Sequence, residues 1–386
     1  MSKESVYAGQ PVTSPGVRRR RRTRMVPALA GVAVVSAVFG GVGALAVQHE
    51  QLPAHPAVTA AAPASPASSA PPNSVEQVAA KVVPSVVELE THDGDMVAQG
   101  SGIILSSDGL ILTNNHVVAP AADAAKSGDG QIRAQVIFSD GRTSPFTVVG
   151  TDPTTDIAVV RAQGVSGLTP LALGSSAKLR VGQSVVAVGS PLGLGGTVTS
   201  GVISALNRPV HVGEAPDQNT YFDAIQTDAP INPGNSGGAL VNAAGKLIGV
   251  NSAIASLGSG PSGGESGSIG LGFAIPVDQA KRIADELVAN GSATHAALGV
   301  GLVRDPNVEG AKVMSVEEGG AAAVAGLPPD AVVTKVDGRV IDNSAALIAA
   351  VRSKAPGDRL TLTFVDPSGG AHTAQVTLGN DQEQPL

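Results

Sequence analysis

After residue 85 the chain runs as short apolar stretches rich in Val and Ile, each closed by a glycine or proline turn signal, and this punctuation restricts the fold more than any other feature. The 48 Gly and 27 Pro are too many for long helices, and outside one Pro-rich stretch they fall where turns between strands would fall. Asp108-Gly109, Asp140-Gly141 and Ala244-Gly245 are such turn pairs. Aromatic residues make up 2% of the chain and Trp is absent, so any core must be built from Val, Ile, Leu and Ala. That composition favours strands over a helical bundle, and the expected fold class is mainly β. At 386 residues the chain exceeds what one core usually organises, so two folded units plus non-globular segments are expected. The absence of cysteine excludes a disulfide scaffold, a thiolate zinc site and a cysteine nucleophile together.

The formal charge of -7 hides an asymmetry. Residues 1–24 hold Lys3, Arg18 to Arg22 and Arg24 against the single acid Glu4, so the remainder is more acidic than the total implies. A nucleic-acid partner for the folded part is therefore not expected. Residues 25–47, MVPALAGVAVVSAVFGGVGALAV, carry no charge, and their length corresponds to about 34 Å of helix, enough to cross a bilayer. The arginines then stay cytoplasmic as a basic segment, 1–24, and everything after the helix lies outside. Ala44-Leu45-Ala46 also fits a signal-peptide cleavage site, with release near Ala46; the length of the apolar run favours an uncleaved single-pass anchor.

Residues 48–73 are dominated by Ala, Pro and Ser and read as an extended tether. A helix is expected from Ser74, with Ser74 and Gln77 as a capping box, Val75, Val78, Ala79 and Val82 on one face, and Pro84 as its stop. A second amphipathic helix, VDQAKRIADELVANG, presents Val277, Ala280, Ile283, Ala284, Leu287 and Val288 on one face and ends at Gly291. It closes a first folded region, 74–291. From 295 to 380 the pattern changes to AKVMSV, AVVTKVDG, a helix SAALIAAVRS opening at Asn343 or Ser344, RLTLTFV and TAQVTL, a small mixed α/β domain.

Chemistry concentrates in INPGNSGGAL, residues 231–240. A serine hydroxyl needs a base, an orienting acid and donors for the oxyanion that forms as it attacks a carbonyl. Gly234 and Gly237 around Asn235-Ser236 suit a tight turn in which the Gly234 and Ser236 N–H groups converge beside the hydroxyl; an ordinary glycine turn leading into a strand has the same composition. Of seven histidines, His49 and His55 lie in the tether, and His92, His211, His295 and His372 are in polar or loop-like surroundings. His116 differs, because LILTNNHVVAP places it at the end of an apolar strand. Asp156 stands just before an apolar strand and is the candidate acid, whereas Asp152, followed by Pro153, reads as a turn residue.

These stretches, Thr113-Asn114-Asn115-His116-Val117-Val118, the run from Asp152 to Val159 and the run from Gln226 to Leu240, resemble the HtrA family of trypsin-like serine proteases. Their order, His then Asp then Ser, is that of the double-barrel proteases and opposes the α/β-hydrolase order. The resemblance runs from about residue 74 to residue 378. It implies two six-stranded β-barrels, a triad of His116, Asp156 and Ser236 in the cleft between them, and an oxyanion hole from the backbone of Gly234, Asn235 and Ser236. By the same analogy Ile231 and Ile254 line a pocket for small or medium aliphatic side chains. The region from residue 295 is similar to the PDZ domain of that family, with Leu298, Gly299, Val300 and Gly301 receiving a peptide carboxylate. Where the family has Gly-Leu-x-x-Gly-Asp, this chain has Gly326-Leu327-Pro328-Pro329-Asp330-Ala331, which leaves peptide affinity open. Loops 208–219 and 255–270 correspond to segments that family members reorder on activation.

The function expected is an ATP-independent endopeptidase acting on unfolded or misfolded proteins outside the cytoplasm, as in stress response and quality control, using no metal or other cofactor. A homo-trimer is expected from the resemblance alone. Two other readings stay open: a PDZ-based chaperone that holds clients, and a narrow regulatory protease that cuts one membrane-bound protein.

Overall fold

The computed structural model describes residues 73–93, 96–127, 132–190, 196–211, 221–253, 268, 270–303 and 305–381. The basic segment, the expected anchor at 25–47, nearly all of the tether, Ile254 and parts of loops 208–219 and 255–270 lie outside these residues. Among the described residues no helix is long and apolar enough to cross a membrane.

Six strands close a first barrel: β1 (Val86–Asp93), β2 (Met96–Ile104), β3 (Leu110–Thr113), β4 (Arg133–Ile137), β5 (Thr143–Asp152) and β6 (Ile157–Ala162), in the order β1-β2-β3-β6-β5-β4. A second closed barrel follows from β7 (Ser184–Gly189), β8 (Thr197–His211), β9 (Tyr221–Thr227), β10 (Ala239–Asn242), β11 (Leu247–Ser252) and β12 (Gly272–Pro276), in the order β10-β11-β12-β9-β8-β7. The anticipated turn pairs sit between β2 and β3, β4 and β5, and β10 and β11, with Gly109, Gly141 and Gly245 at positive φ.

Several strands are apolar on both faces because each face meets a different core. On β6, Ala158, Val160 and Ala162 point into the first barrel with Val87, Leu89 and Phe146. Ile157 and Val159 point out to a shared core with Val186, Val188 and Phe222 of the second barrel. On β7 the same alternation sends Val185 and Ala187 inward, with Ile225 and Leu240, and the intervening valines to the shared core. The strand period of two thus divides one apolar run between barrel interior and barrel–barrel packing.

Helix α1 (Val75–Val82) begins at Ser74, whose side chain accepts from the Gln77 N–H, as the capping signal predicts. The Gln77 side chain reaches back one residue further than a capping box requires, to the Asn73 N–H. Val78 and Val82 are buried, whereas Val75 on the first turn is exposed. Helix α2 (Asn115–Ser127) follows β3 directly and was not anticipated. Helix α3 (Val277–Asn290) lays Val277, Ala280, Ile283, Ala284 and Leu287 on the shared core, leaves Val288 exposed, and ends at Gly291 with φ 75°.

Beyond α3, β13 (Ala296–Ala297) pairs with the last strand, β20 (Gly379–Asn380). A separate sheet orders β14 (Val300–Val303), β15 (Ala311–Val316), β16 (Val332–Val336), β18 (Arg359–Val365) and β19 (Ala371–Thr377), and β17 (Arg339–Val340) pairs with β16. A one-turn helix, α4 (Ala321–Val324), and α5 (Ser344–Arg352), capped by Asn343, pack on its own core. The molecule is therefore mainly β, a trypsin-like double barrel followed by a PDZ domain. Asp330, standing where the family motif has glycine, takes a left-handed φ of 61°, a conformation Asp tolerates better than most residues.

Candidate active site

The first barrel contributes an imidazole and a carboxylate. His116 is the second residue of α2, so the helix start, rather than the strand end expected, aims its ring. Its Nδ1 lies 2.9 Å from both Asp156 oxygens. Asp156 occupies the left-handed region at φ 57° immediately before β6. That turn is held from several sides. The Asp156 carbonyl accepts from the Asn114 side-chain amide at 2.8 Å and from the Asn115 N–H at 3.2 Å. Its Oδ1 accepts from the His116 N–H at 3.1 Å, which puts the carboxylate at the N-terminus of α2, where the helix dipole favours negative charge. The Asp156 side chain is 2% exposed and that of His116 is 24% exposed, so one end of the imidazole is buried against its acid while the other remains reachable.

The second barrel contributes the hydroxyl. Ser236 lies in the loop between β9 and β10, buried, and its Oγ accepts from the Ala253 N–H at 2.9 Å. The preceding residue, Ser252, donates from its own hydroxyl to Asp156 Oδ2 at 3.4 Å. Residues 252 and 253 thus touch the acid of one barrel and the serine of the other. A methyl group built on Gly100 would meet the Val117 side chain at 2.6 Å and the Ser236 carbonyl at 3.2 Å, so the residue after His116 and the serine face the same glycine. Among the described residues no hydrogen bond joins His116 Nε2 to Ser236 Oγ.

The serine loop spends its backbone donors selectively. Asn235 N–H donates to Asn232 O at 3.0 Å, Gly237 N–H to Asn251 O at 2.9 Å, and Gly238 N–H to Asn235 O at 3.0 Å. Pro233 and Gly234, the latter at φ 90°, form the centre of the turn that the first of these bonds closes. Among the described residues, the Gly234 and Ser236 N–H groups donate to no protein acceptor. They are the two donors that sequence reasoning placed beside the hydroxyl.

Ile231 is buried with Ala229, Ile225 and Leu240 in the second-barrel core, and its Cγ1 lies 2.6 Å from where a side chain on Gly272 would begin. Its suggested pocket partner Ile254 is not among the described residues. Leu298 and Val300 line an apolar slot with Leu302 on β14 and Leu347, Ile348 and Val351 on α5. Gly299, at φ 71°, immediately precedes that strand, and its carbonyl accepts from the Glu317 N–H at 3.0 Å. Gly301 pairs with Ser315. β14 is the terminal strand of its sheet order.

Sequence reasoning missed three contacts that cross between barrels or domains. Ser252 carries no motif and reaches Asp156 from the second barrel, and Ser101 on β2 likewise carries none and donates to the Gly234 carbonyl. His295 read as a residue in polar or loop-like surroundings; it is instead 4% exposed, with Nε2 2.9 Å from Asp152 Oδ1. Asp152 does form the turn expected of it, accepting from the Thr154 N–H and the Thr155 hydroxyl, and holds His295 as well.

Residues 100–250 match the family described as a trypsin-like peptidase domain, and residues 296–367 match the PDZ domain. A Mycobacterium tuberculosis protein named serine protease PepD is 62% identical over 376 residues, covering 96% of this chain and 81% of that protein. The periplasmic serine endoprotease DegP of Escherichia coli is 40% identical over 278 residues, which is 69% of this chain and 54% of the relative, so this chain spans about half of that longer protein. Among solved structures, the HtrA-type protease AlgW with a tripeptide superposes with a TM-score of 0.57 at 34% identity, over 80% of this chain and 97% of that one. The chain is a serine endopeptidase and belongs to the HtrA family of trypsin-like serine proteases with a single PDZ domain.

Proposed function

We propose that Ser236 is the nucleophile, His116 the general base and Asp156 the orienting acid of an endopeptidase that cleaves unfolded or misfolded proteins outside the cytoplasm. The observation that carries this reading is the convergence of Asp156, paired with His116 on one barrel, and Ser236 of the other on the adjacent residues Ser252 and Ala253, beside two uncommitted N–H groups. For reaction, the Ser236 hydroxyl turns from Ala253 to His116 Nε2 and attacks the scissile carbonyl carbon as its proton passes to the imidazole. Asp156 holds the Nδ1–H tautomer and stabilises the imidazolium. The Gly234 and Ser236 N–H groups receive the carbonyl oxygen as it becomes negative, with the Asn235 peptide fixing their separation. The imidazolium then protonates the departing amine. A water, deprotonated by the same nitrogen, releases the acyl group and restores the serine.

Ile231, with Ile254, sets a preference for small or medium aliphatic residues before the scissile bond. Leu298, Gly299, Val300 and Gly301 receive the C-terminus of a peptide that adds to the β14 edge. Residues 74–291 form the protease and 295–380 the PDZ domain, tethered through 48–73 to a single-pass anchor at 25–47, and the full chain assembles as a trimer. The periplasmic designation of the related DegP supports an extracytoplasmic site of action. No step calls for ATP or a metal.

Labelling of the full chain with a fluorophosphonate, together with proteome-wide mapping of cut sites, tests the reading. Ser236→Ala is expected to abolish labelling and to lower turnover roughly 10⁴- to 10⁶-fold while leaving client binding intact. Undiminished labelling of that variant would remove Ser236 from the mechanism. Cuts confined to one membrane protein would replace general quality control with the narrow regulatory reading.

A further inference from the structure

We infer that Ser101, a residue of the first barrel, is a positioning residue for the oxyanion-binding loop of the second; the inference rests on Ser236 being the nucleophile. Ser101 lies on β2 and is 0% exposed. A hydroxyl both donates and accepts, and here each capacity is used on backbone. Ser101 Oγ donates to the Gly234 carbonyl at 2.6 Å and accepts from the Ser190 N–H at 2.8 Å. Its own N–H donates to the Ser236 carbonyl at 2.7 Å. Its carbonyl accepts from the Thr113 hydroxyl at 2.7 Å, and Thr113 ends the strand that leads to His116.

Taken peptide by peptide, these bonds immobilise the loop. The Gly234–Asn235 peptide is held at its oxygen by the Ser101 hydroxyl and at its nitrogen by the Asn232 carbonyl. The Ser236–Gly237 peptide is held at its oxygen by the Ser101 N–H and at its nitrogen by the Asn251 carbonyl. The peptide between them is held at the Asn235 oxygen by the Gly238 N–H, and its own N–H, that of Ser236, stays unspent. Gly234 by itself is permissive about φ and ψ, so its N–H keeps one direction only while the following carbonyl is tethered. Ser101 supplies that tether from a different barrel, and the approach is close enough that a Cβ on Gly237 would lie 2.1 Å from the Ser101 carbonyl.

The consequence is a defect confined to the step in which the oxyanion forms. With the full chain and an internally quenched peptide bearing an aliphatic residue before the scissile bond, Ser101→Ala is expected to lower kcat roughly 10- to 100-fold and to leave KM within about twofold, a smaller loss than removing an oxyanion donor outright. A peptidyl boronate, whose tetrahedral adduct places an oxygen at the oxyanion position, is expected to lose affinity by the same factor as kcat/KM, while binding of an uncleaved product peptide is unchanged. A variant with a lowered melting temperature but wild-type kcat and boronate affinity would make Ser101 purely structural and overturn the inference. Should Ser101→Ala show no cooperative melting, Ser101→Cys keeps the volume with a weaker donor and is expected to show the same kcat-selective loss; failure of both to fold also overturns it. Ser236→Ala separates the two readings. If it still cleaves, the triad assignment falls; if it is inert while Ser101→Ala is fully active, only the positioning role falls.

Discussion

Asp156 shows how much one residue's backbone can matter to a proposed triad. At φ 57° its carboxylate is turned back over the start of α2, where the His116 N–H holds it, while the Asn114 side chain and the Asn115 N–H hold its backbone carbonyl. Asn tolerates the same backbone region and has the same shape, so Asp156→Asn keeps the turn but loses the anion that orients the imidazole. That variant is expected to retain a melting temperature close to wild type and to lose about 10⁴-fold in kcat at neutral pH, measured on the quenched peptide. Motif spacing made His116, Asp156 and Ser236 legible because each sits in a distinctive local run. Ser101, Ser252 and His295 were not legible, because a serine or histidine whose partners lie on another barrel or domain leaves no periodicity in its own neighbourhood.

At the scale of elements, strand and turn signals were reliable where a glycine or an Asx residue forced the turn, and less so for α2. Val117-Val118 looks like the continuation of a strand, and Pro120 argues against a helix. Pro120 lies early in α2, where its missing N–H withdraws one bond, from the His116 carbonyl, and the Ala-rich remainder sustains the helix. Phe222 on β9 is fully buried in the shared core, and Phe222→Ala is expected to cost about 3–5 kcal/mol in denaturant unfolding. Glu286 ties the end of α3 to the segment that follows it. Burial raises its carboxyl, but bonds from the Thr294 N–H and hydroxyl and from Arg282 outweigh burial and hold it below the usual range. A depressed carboxylate stabilises the fold above its unfolded value, roughly 4.3, and that contribution disappears as pH falls through the folded-state value. Glu286→Gln is therefore expected to lower the melting temperature at pH 7, and the difference from wild type to vanish in acid.

At the scale of the molecule, the PDZ domain is joined to the barrels by more than the chain. Arg339 on β17 pairs with both oxygens of Asp223 on β9 and donates to the Asn207 carbonyl at 2.7 Å. Helix α5 packs against β8 and β9, and His295 meets Asp152 four residues before the proposed acid. Burial pushes the Asp223 carboxyl up against the pull of Arg339, and the desolvation of a buried ion pair commonly offsets much of its attraction. Breaking it one-sidedly is another matter. Arg339→Met leaves a buried carboxylate without its cation and is expected to cost about 3 kcal/mol, whereas adding Asp223→Leu is expected to bring the protein back to within about 1 kcal/mol of wild type, a coupling readable from a double-mutant cycle in urea. By itself the sequence determined the mainly β class, the order of the triad candidates, the last helix before residue 291 and the four longest strands of the PDZ domain, since these follow from local periodicity, turn chemistry and caps. Only the tertiary structure decided which face of each apolar strand belongs to which core, which serine supports the loop around Ser236, and how the PDZ domain grips the barrels. Those outcomes depend on contacts between residues distant in the chain, and no local pattern encodes the partner of a buried hydroxyl, imidazole or carboxylate.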